Sequence, residues 1–423
     1  MPKLRPSTVL APALEKQSPG RRRGYLGRRL CETVARAWRK APHVRKAMAE
    51  AGLSPRDVRG LDDLAKLPIT RKDDLPGLQA ALPPFGGLLG VEPGRLARIF
   101  MSPGPIFDPQ GVADDFWRFR HGLAAAGFRK GEIVHNAASY HLTPLGFMLD
   151  AAARSLGCVV IPAGVGQTEQ QIRVAAHVGA TAYLGTPSFL HTLLSKAREE
   201  KTPLSIEAAF VVAEMLPESL RTELETGFGV RVLQGYGTAD LGCLAYECPE
   251  KGGWHVHPEV IVELLDPASG EPAAPGQPGE VVATIFDEAY PLVRFATGDL
   301  STLAPPGPCR CGRTAPKLAG LLGRVGDGVK VKGMFVRAGQ MDGVMKRFPA
   351  VTRYRAVVTR EGQQDQLAYE VELSGPEAGA EELAARISEA LREEVKVRGD
   401  VAFVPRGTLP EGAKRLEDRR VWK

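Results

Sequence analysis

The sequence predicts an α/β protein: a large N-terminal domain of several subdomains, built on parallel βαβ units plus a β-rich part, and a small mobile α+β domain at the C-terminus. Three observations predict it. Short apolar runs alternate with amphipathic stretches from Ile133 to Thr238. Pro and Gly become frequent after Gly253, with strands set between turns. A separately patterned, charged segment begins near Gly323, behind the Gly-rich stretch Gly320–Gly326. The domains are expected at 1–322, with the β-rich part at about 253–322, and at 323–423.

The first region gives strands at Ile133–Ala138, Cys158–Ala163, Thr181–Leu184, Ala208–Val212 and Arg231–Gln234. Between them lie amphipathic helices at Leu142–Leu156, Thr168–Val178, Pro187–Glu200 and Pro217–Phe228. Apolar strands separated by helices of this length make a parallel sheet. The β-rich part gives strands Val260–Leu265 and Gly279–Ile285, joined across turns such as Asp266–Gly270. The last region gives strands Tyr354–Thr359 and Gln366–Leu373, a long charged helix Glu377–Val397 and a strand Val401–Pro405. About a hundred residues is a normal domain size, and the Gly-rich boundary suits a hinge.

The chain has 423 residues, 43% hydrophobic and 25% charged, with net charge +6. That composition suits a globular protein. The basic residues are scattered apart from Arg21, Arg22, Arg23, Arg28 and Arg29, which read as a solvated, poorly ordered arm. No nucleic-acid or membrane partner is expected. No run reaches the roughly 18 apolar residues of a membrane helix, and the basic start lacks the apolar core of a signal peptide. A cytoplasmic location follows, where disulfides are rare.

Three segments carry chemistry. Gln234-Gly235-Tyr236-Gly237-Thr238-Ala239-Asp240 follows a buried strand; paired glycines allow close backbone approach, the aromatic can stack on a base, and the carboxylate can hold Mg²⁺ beside phosphates. Asp299, behind the Thr297-Gly298 turn, can accept hydrogen bonds from ribose hydroxyls. Gly323-Arg324-Val325-Gly326-Asp327, then Val329-Lys330-Val331-Lys332-Gly333, opens the last domain. A different signal comes from cysteine: Cys309 and Cys311 on a tight loop, with Cys248 and His255 on another Gly-rich loop, match a closed structural zinc site. Cys243 and His257 are alternatives to Cys248 and His255.

In order and spacing the three segments resemble the adenylate-forming superfamily, closest to the phenylacetate–CoA ligases. Lys66-Leu67-Pro68-Ile69-Thr70-Arg71-Lys72-Asp73-Asp74-Leu75, Gly164–Gln171 and Val212-Ala213-Glu214 resemble further signatures of that branch, some members of which also carry a similar Cys/His set. Leu409-Pro410-Glu411-Gly412-Ala413-Lys414-Arg415 resembles the segment with the family's catalytic lysine, with one extra residue between Gly and Lys. The resemblance implies that a carboxylic acid is activated with ATP to acyl-AMP and passed to coenzyme A. It implies that Ala213, Glu214, Tyr236, Gly237, Thr238, Asp299 and Arg324 hold the nucleotide, that Asp240 replaces the usual Glu at Mg²⁺, and that Lys414 neutralises charge on the reacting groups. It places Tyr140 and His141 at the acyl pocket and Lys332-Gly333 along the CoA channel.

One departure stands out. The family's Ser-Ser-Gly-Thr-Thr-Gly-Lys-Pro phosphate loop is replaced by Met101-Ser102-Pro103-Gly104-Pro105-Ile106-Phe107-Asp108-Pro109, leaving Ser102 and Gly104 as a degenerate remnant. Both threonines and the lysine are gone, prolines remove backbone donors, and Asp108 would repel a polyphosphate. AMP or acyl-AMP is therefore expected to bind at least as tightly as ATP. Two other readings remain beside the CoA ligase: an adenylating enzyme that uses an amine or carrier-protein thiol, and a non-catalytic nucleotide- or acyl-binding homologue. The expected partners are a small carboxylic acid, nucleotide and CoA, with a homodimer left open.

Overall fold

A computed structural model describes residues 6–102, 105–325, 328–331, 334–361, 364–375, 379–395, 397–412 and 414–420. Two compact units divide the chain: Met1–Leu265, Gly270–Thr297 and Thr302–Gly320 form one, and Asp266–Ser269, Gly298–Ser301 and Leu321–Lys423 the other. The first carries a parallel sheet with strand order Arg231–Thr238, Ala208–Val211, Ala182–Gly185, Ile133–Asn136 and Val159–Pro162. All five expected strands are present.

Their helices start and stop where local chemistry dictates. Pro187–Glu199 has Thr186 as its cap, accepting from the Phe189 N–H, with Pro187 in the first turn. Thr168–Val178 ends on Gly179 in the left-handed region. The expected helix over Pro217–Phe228 shortens to Glu218–Thr222 and continues as a π turn, Glu223–Gly227.

Strand Arg231–Thr238 changes partners along its length: its first half is parallel to Ala208–Val211, its second half antiparallel to Gly242–Glu247. That switch joins the parallel sheet to the β-rich part, including Val260–Leu265 paired with Gly279–Ile285. Apolar side chains such as Phe100, Trp117, Leu149, Leu184, Phe210 and Leu233 close the core between sheet and helices.

The arginine-rich start corrects the sequence reading. Residues Pro19–Lys40 form an α-helix capped by Ser18, not a poorly ordered arm. Leu26, Leu30, Val34 and Ala37 recur at helical spacing and are buried. The arginines are put to use: Arg22 is buried and donates to the His257 carbonyl, Arg23 pairs with Asp62, and Arg29 lies over the Phe286 ring.

The second unit contains a four-stranded sheet in the order Asp400–Phe403, Gln364–Leu373, Val351–Glu361 and Leu416–Asp418. Helices Ala338–Met345 and Ala380–Val395 pack on it through Met341, Val344, Ile387 and Leu391. The hairpin Gly328–Val331 with Met334–Arg337 and the short strand Leu416–Asp418 were not foreseen. Among the described residues no helix is long and apolar enough to cross a membrane.

Candidate functional site

The segment Lys66–Leu75 is threaded into the first unit by backbone bonds. Thr70–Arg71 forms a short parallel pair with Phe295–Ala296, and Arg71 binds Glu280 at 3.0 Å. Arg294, itself buried and held by Glu263 at 3.0 Å, donates to the Ala65 and Leu67 carbonyls. This frame delivers Lys72 onto Asp240, with Nζ 2.5 Å from Oδ2.

Asp240 has a side chain 0% exposed, and that of Lys72 is 17% exposed. The Lys72 ammonium occupies Oδ2 of this carboxylate, and Oδ1 is buried with no hydrogen-bond partner among the described residues. Aspartate is one methylene shorter than the expected Glu and stays in the protein. Asp108 also departs from expectation. Strand alternation turns Phe107 out and Asp108 in, leaving Asp108 1% exposed. Burial and the adjacent Asp240 charge push its carboxyl up to about 7, against opposing contributions from Ser102 and Lys72. Asp108 is thus turned into the protein, not out toward solvent. Sequence reasoning missed that Lys72 pairs with Asp240 and that Asp108 lies buried beside them. The strand alternation was a readable signal for Asp108; the meeting of residues 72 and 240 was not.

The Gly-Tyr-Gly segment lies on the partner-switching strand. Its glycines answer to packing: a Cβ on Gly235 would stand 2.5 Å from the Phe210 ring, and one on Gly237 2.3 Å from the Gly242 carbonyl. Tyr236 is buried, donates to Thr297 Oγ1 at 3.3 Å, and is stacked against Trp254 with centroids 6.0 Å apart. A base could stack only on its other face. Thr238 accepts from the Leu241 N–H. Ala213 sits at φ +70°, and neighbouring Glu214 takes the Ser188 hydroxyl at 2.5 Å. Tyr140 is fixed by Asn136 at 2.7 Å and Asp150 at 3.2 Å, whereas His141 is exposed in its loop.

In the second unit, Arg324 pairs with Asp299 at 3.3 Å. Lys414 is exposed beside Arg415, which pairs with Asp342. Ser102 is buried on its strand. The expected Gly104, Lys332 and Gly333, with Gly326 and Asp327 of the hinge segment, lie outside the described residues.

The cysteine expectation meets a compact cluster. Sγ of Cys248, Cys309 and Cys311 and a ring nitrogen of His255 all lie within 4.8 Å of one another. Cys248 and Cys309 are 3.6 Å apart, and Cys311 lies 3.4 Å from His255 Nε2. His255 Nδ1 is 3.2 Å from the Ala315 carbonyl, the outer bond that points Nε2 inward for ligation. Three thiols and an imidazole fit Zn²⁺ in a closed tetrahedral site. The alternatives drop out: Cys243 donates to the Ala245 carbonyl inside the sheet, and buried His257 stacks edge-on against His121.

A buried ionic knot ties this loop to the N-terminus. Glu15, 1% exposed, accepts from Arg313 Nε at 2.6 Å, the Tyr246 hydroxyl at 2.9 Å and the Ala11 N–H at 2.9 Å, with His121 Nδ1 at 3.2 Å. Burial pushes its carboxyl up, but the bonds from His121 and Ala11 and the charge of Arg313 outweigh it and bring it to about 2. Thr314 donates to the Glu15 and Gln17 carbonyls.

Against known proteins, the profile described as AMP-binding enzyme matches residues 116–284, and that of the AMP-binding enzyme C-terminal domain matches 333–420. The phenylacetate–coenzyme A ligase of Thermus thermophilus is 34% identical over 96% of both chains. That of Aromatoleum evansii is 30% identical over 99% of both. A crystal structure of 2-hydroxyisobutyryl-CoA ligase, in an open conformation with 2-HIB-AMP and CoA, superposes with a TM-score of 0.83 at 25% identity, covering 96% of this chain and 93% of that one. The chain belongs to the adenylate-forming, AMP-binding enzymes, in their phenylacetate–CoA ligase branch.

Proposed function

We propose that this protein activates a carboxylic acid with ATP and transfers the acyl group to coenzyme A. The observation that carries the reading is kinship with acid–CoA ligases along nearly the whole chain, 34% identity over 96% of it. In the first half-reaction a carboxylate oxygen attacks the α-phosphorus, the bond to the β-phosphate oxygen breaks, and pyrophosphate leaves. In the second, the CoA sulfur attacks the acyl carbonyl, the thiol proton goes to solvent, and AMP leaves.

In this reading Tyr236, Asp299, Arg324, Thr238, Ala213 and Glu214 hold the nucleotide. Lys414 supplies a positioned cation where negative charge gathers between carboxylate and α-phosphate, a stabilisation worth several kcal/mol in such sites (roughly 2.7–4). Tyr140 and His141 border the acid, and the Lys332-Gly333 segment borders pantetheine. Mg²⁺ enters with ATP as part of the substrate. Zn²⁺ on Cys248, His255, Cys309 and Cys311 is structural, since four protein ligands leave no open position. The protein works in the cytoplasm. Acid-dependent ATP–pyrophosphate exchange over a panel of aryl and aliphatic carboxylic acids tests the reading; no exchange with any acid contradicts it.

A further inference from the structure

The 101–109 segment carries no lysine, and Lys72, from a segment distant in sequence, lies within electrostatic reach of Asp108 on it. Lys72 reaches Asp240 at 2.5 Å and is the partly exposed member of the pair, at 17% against 0%. Its segment is bolted to the strand after the loop: Gln79 Nε2 donates to the Phe107 carbonyl at 2.8 Å, and Gln79 Oε1 accepts from the Phe107 N–H at 2.9 Å. Those two bonds fix the helix Leu75–Ala81, which follows Lys72, against the hairpin Arg98–Ser102 with Ile106–Gln110. Asp108 of the same hairpin lies within electrostatic reach of both Lys72 and Asp240.

We propose that Lys72 is the phosphate-binding cation of this enzyme, with Asp240 as the buried anchor that aims it. It offers a cation beside the 101–109 hairpin, which carries no lysine, and it stands on the carboxylate to which a metal role would be assigned. The ligand group is the β- and γ-phosphates of ATP, or free pyrophosphate. A buried anchor suits phosphate capture because Asp240 fixes a flexible four-carbon side chain, so little freedom is lost when a phosphate arrives. Asp108 and the Asp240 side chain are both closed to solvent, so the Lys72 ammonium is the group of this cluster open to an anion.

This rests on the adenylate-forming reading, and the test separates the two. Full-length wild type, Lys72→Met, Lys72→Arg and the double variant Lys72→Met with Asp240→Asn are titrated calorimetrically with ATP–Mg²⁺, pyrophosphate–Mg²⁺ and AMP. The double variant removes both partners, so that no orphan charge is left buried. Loss of one charge-assisted contact weakens binding by about 10- to 100-fold. The expected result is that loss for ATP and pyrophosphate in Lys72→Met and in the double variant, with AMP within about threefold of wild type and Lys72→Arg retaining much of the affinity. A merely structural Lys72 gives a different pattern: AMP weakens along with ATP, or the double variant recovers wild-type ATP affinity. Either result overturns the proposal while wild-type exchange activity leaves the functional reading standing. A wild type that neither binds ATP nor exchanges pyrophosphate overturns both.

Discussion

Replacing Glu15 by Gln tests the buried knot between the N-terminus and the cysteine loop. The substitution keeps size and shape but removes the charge that Arg313, 1% exposed at its side chain, relies on. Two routes give the cost. A carboxyl lowered from 4.5 to about 2 is favoured in its ionised, folded form by about 3 kcal/mol. Breaking a buried ion pair by removing one partner costs about 3–5 kcal/mol. The folded-state value is depressed, so this stability is fully present above pH 4.5 and is lost as pH falls toward 2. The assay is urea unfolding followed by tryptophan fluorescence, since Trp38, Trp117 and Trp254 lie in the first unit. Glu15→Gln should lose about 3 kcal/mol at pH 7, and the difference from wild type should shrink to under about half at pH 3. A loss below about 1 kcal/mol at pH 7, or a difference independent of pH, would refute the argument that this carboxylate organises the knot.

Three further outcomes follow. Lys414→Ala should leave folding intact and slow adenylate formation by about two orders of magnitude or more, with thioester formation from supplied acyl-AMP much less affected; equal loss in both half-reactions contradicts its role. Protein purified without added metal should carry about one zinc per chain by elemental analysis, and the Cys309→Ser, Cys311→Ser double variant should lose both zinc and thermal stability; full zinc retention in that variant rejects the site. Asp108 holds its proton to about pH 7, so its burial costs stability as pH rises from about 4 to 7. Asp108→Asn should therefore gain about 2 kcal/mol on wild type between pH 5 and pH 8 in urea unfolding, and no pH-dependent gain would show the group to be ionised throughout.

The parts of the fold that were legible share one property: their cause is local. Strands such as Ala208–Val211 are apolar on both sides because both faces are covered, and Thr186-Pro187 and Gly179 mark helix ends by chemistry confined to a turn. The Cys/His cluster was legible because thiol and imidazole spacing on two loops carries its own meaning, although only the fold chose Cys248 and His255 over Cys243 and His257. What escaped depends on partners distant in sequence. Glu15 gave no sign of the role that Arg313, 298 residues away, confers on it. Arg22 passed for a solvated charge until the His257 carbonyl met it. Asp240 was assigned a metal because its motif suggests one, while the ammonium that occupies it comes from 168 residues upstream. The glycines at 235 and 237 were read as room for a ligand; Phe210 and the Gly242 carbonyl fill that room.

The most direct measurement is product analysis of full-length protein given ATP–Mg²⁺, coenzyme A and each of a panel of carboxylic acids. Mass spectrometry would read the thioester and chromatography the nucleotide. The account predicts that at least one acid yields its CoA thioester with AMP and pyrophosphate in equal amounts, and that omitting CoA leaves acyl-AMP on the protein. Thioester formed with ADP and phosphate, or acyl-AMP that CoA does not discharge, would contradict it.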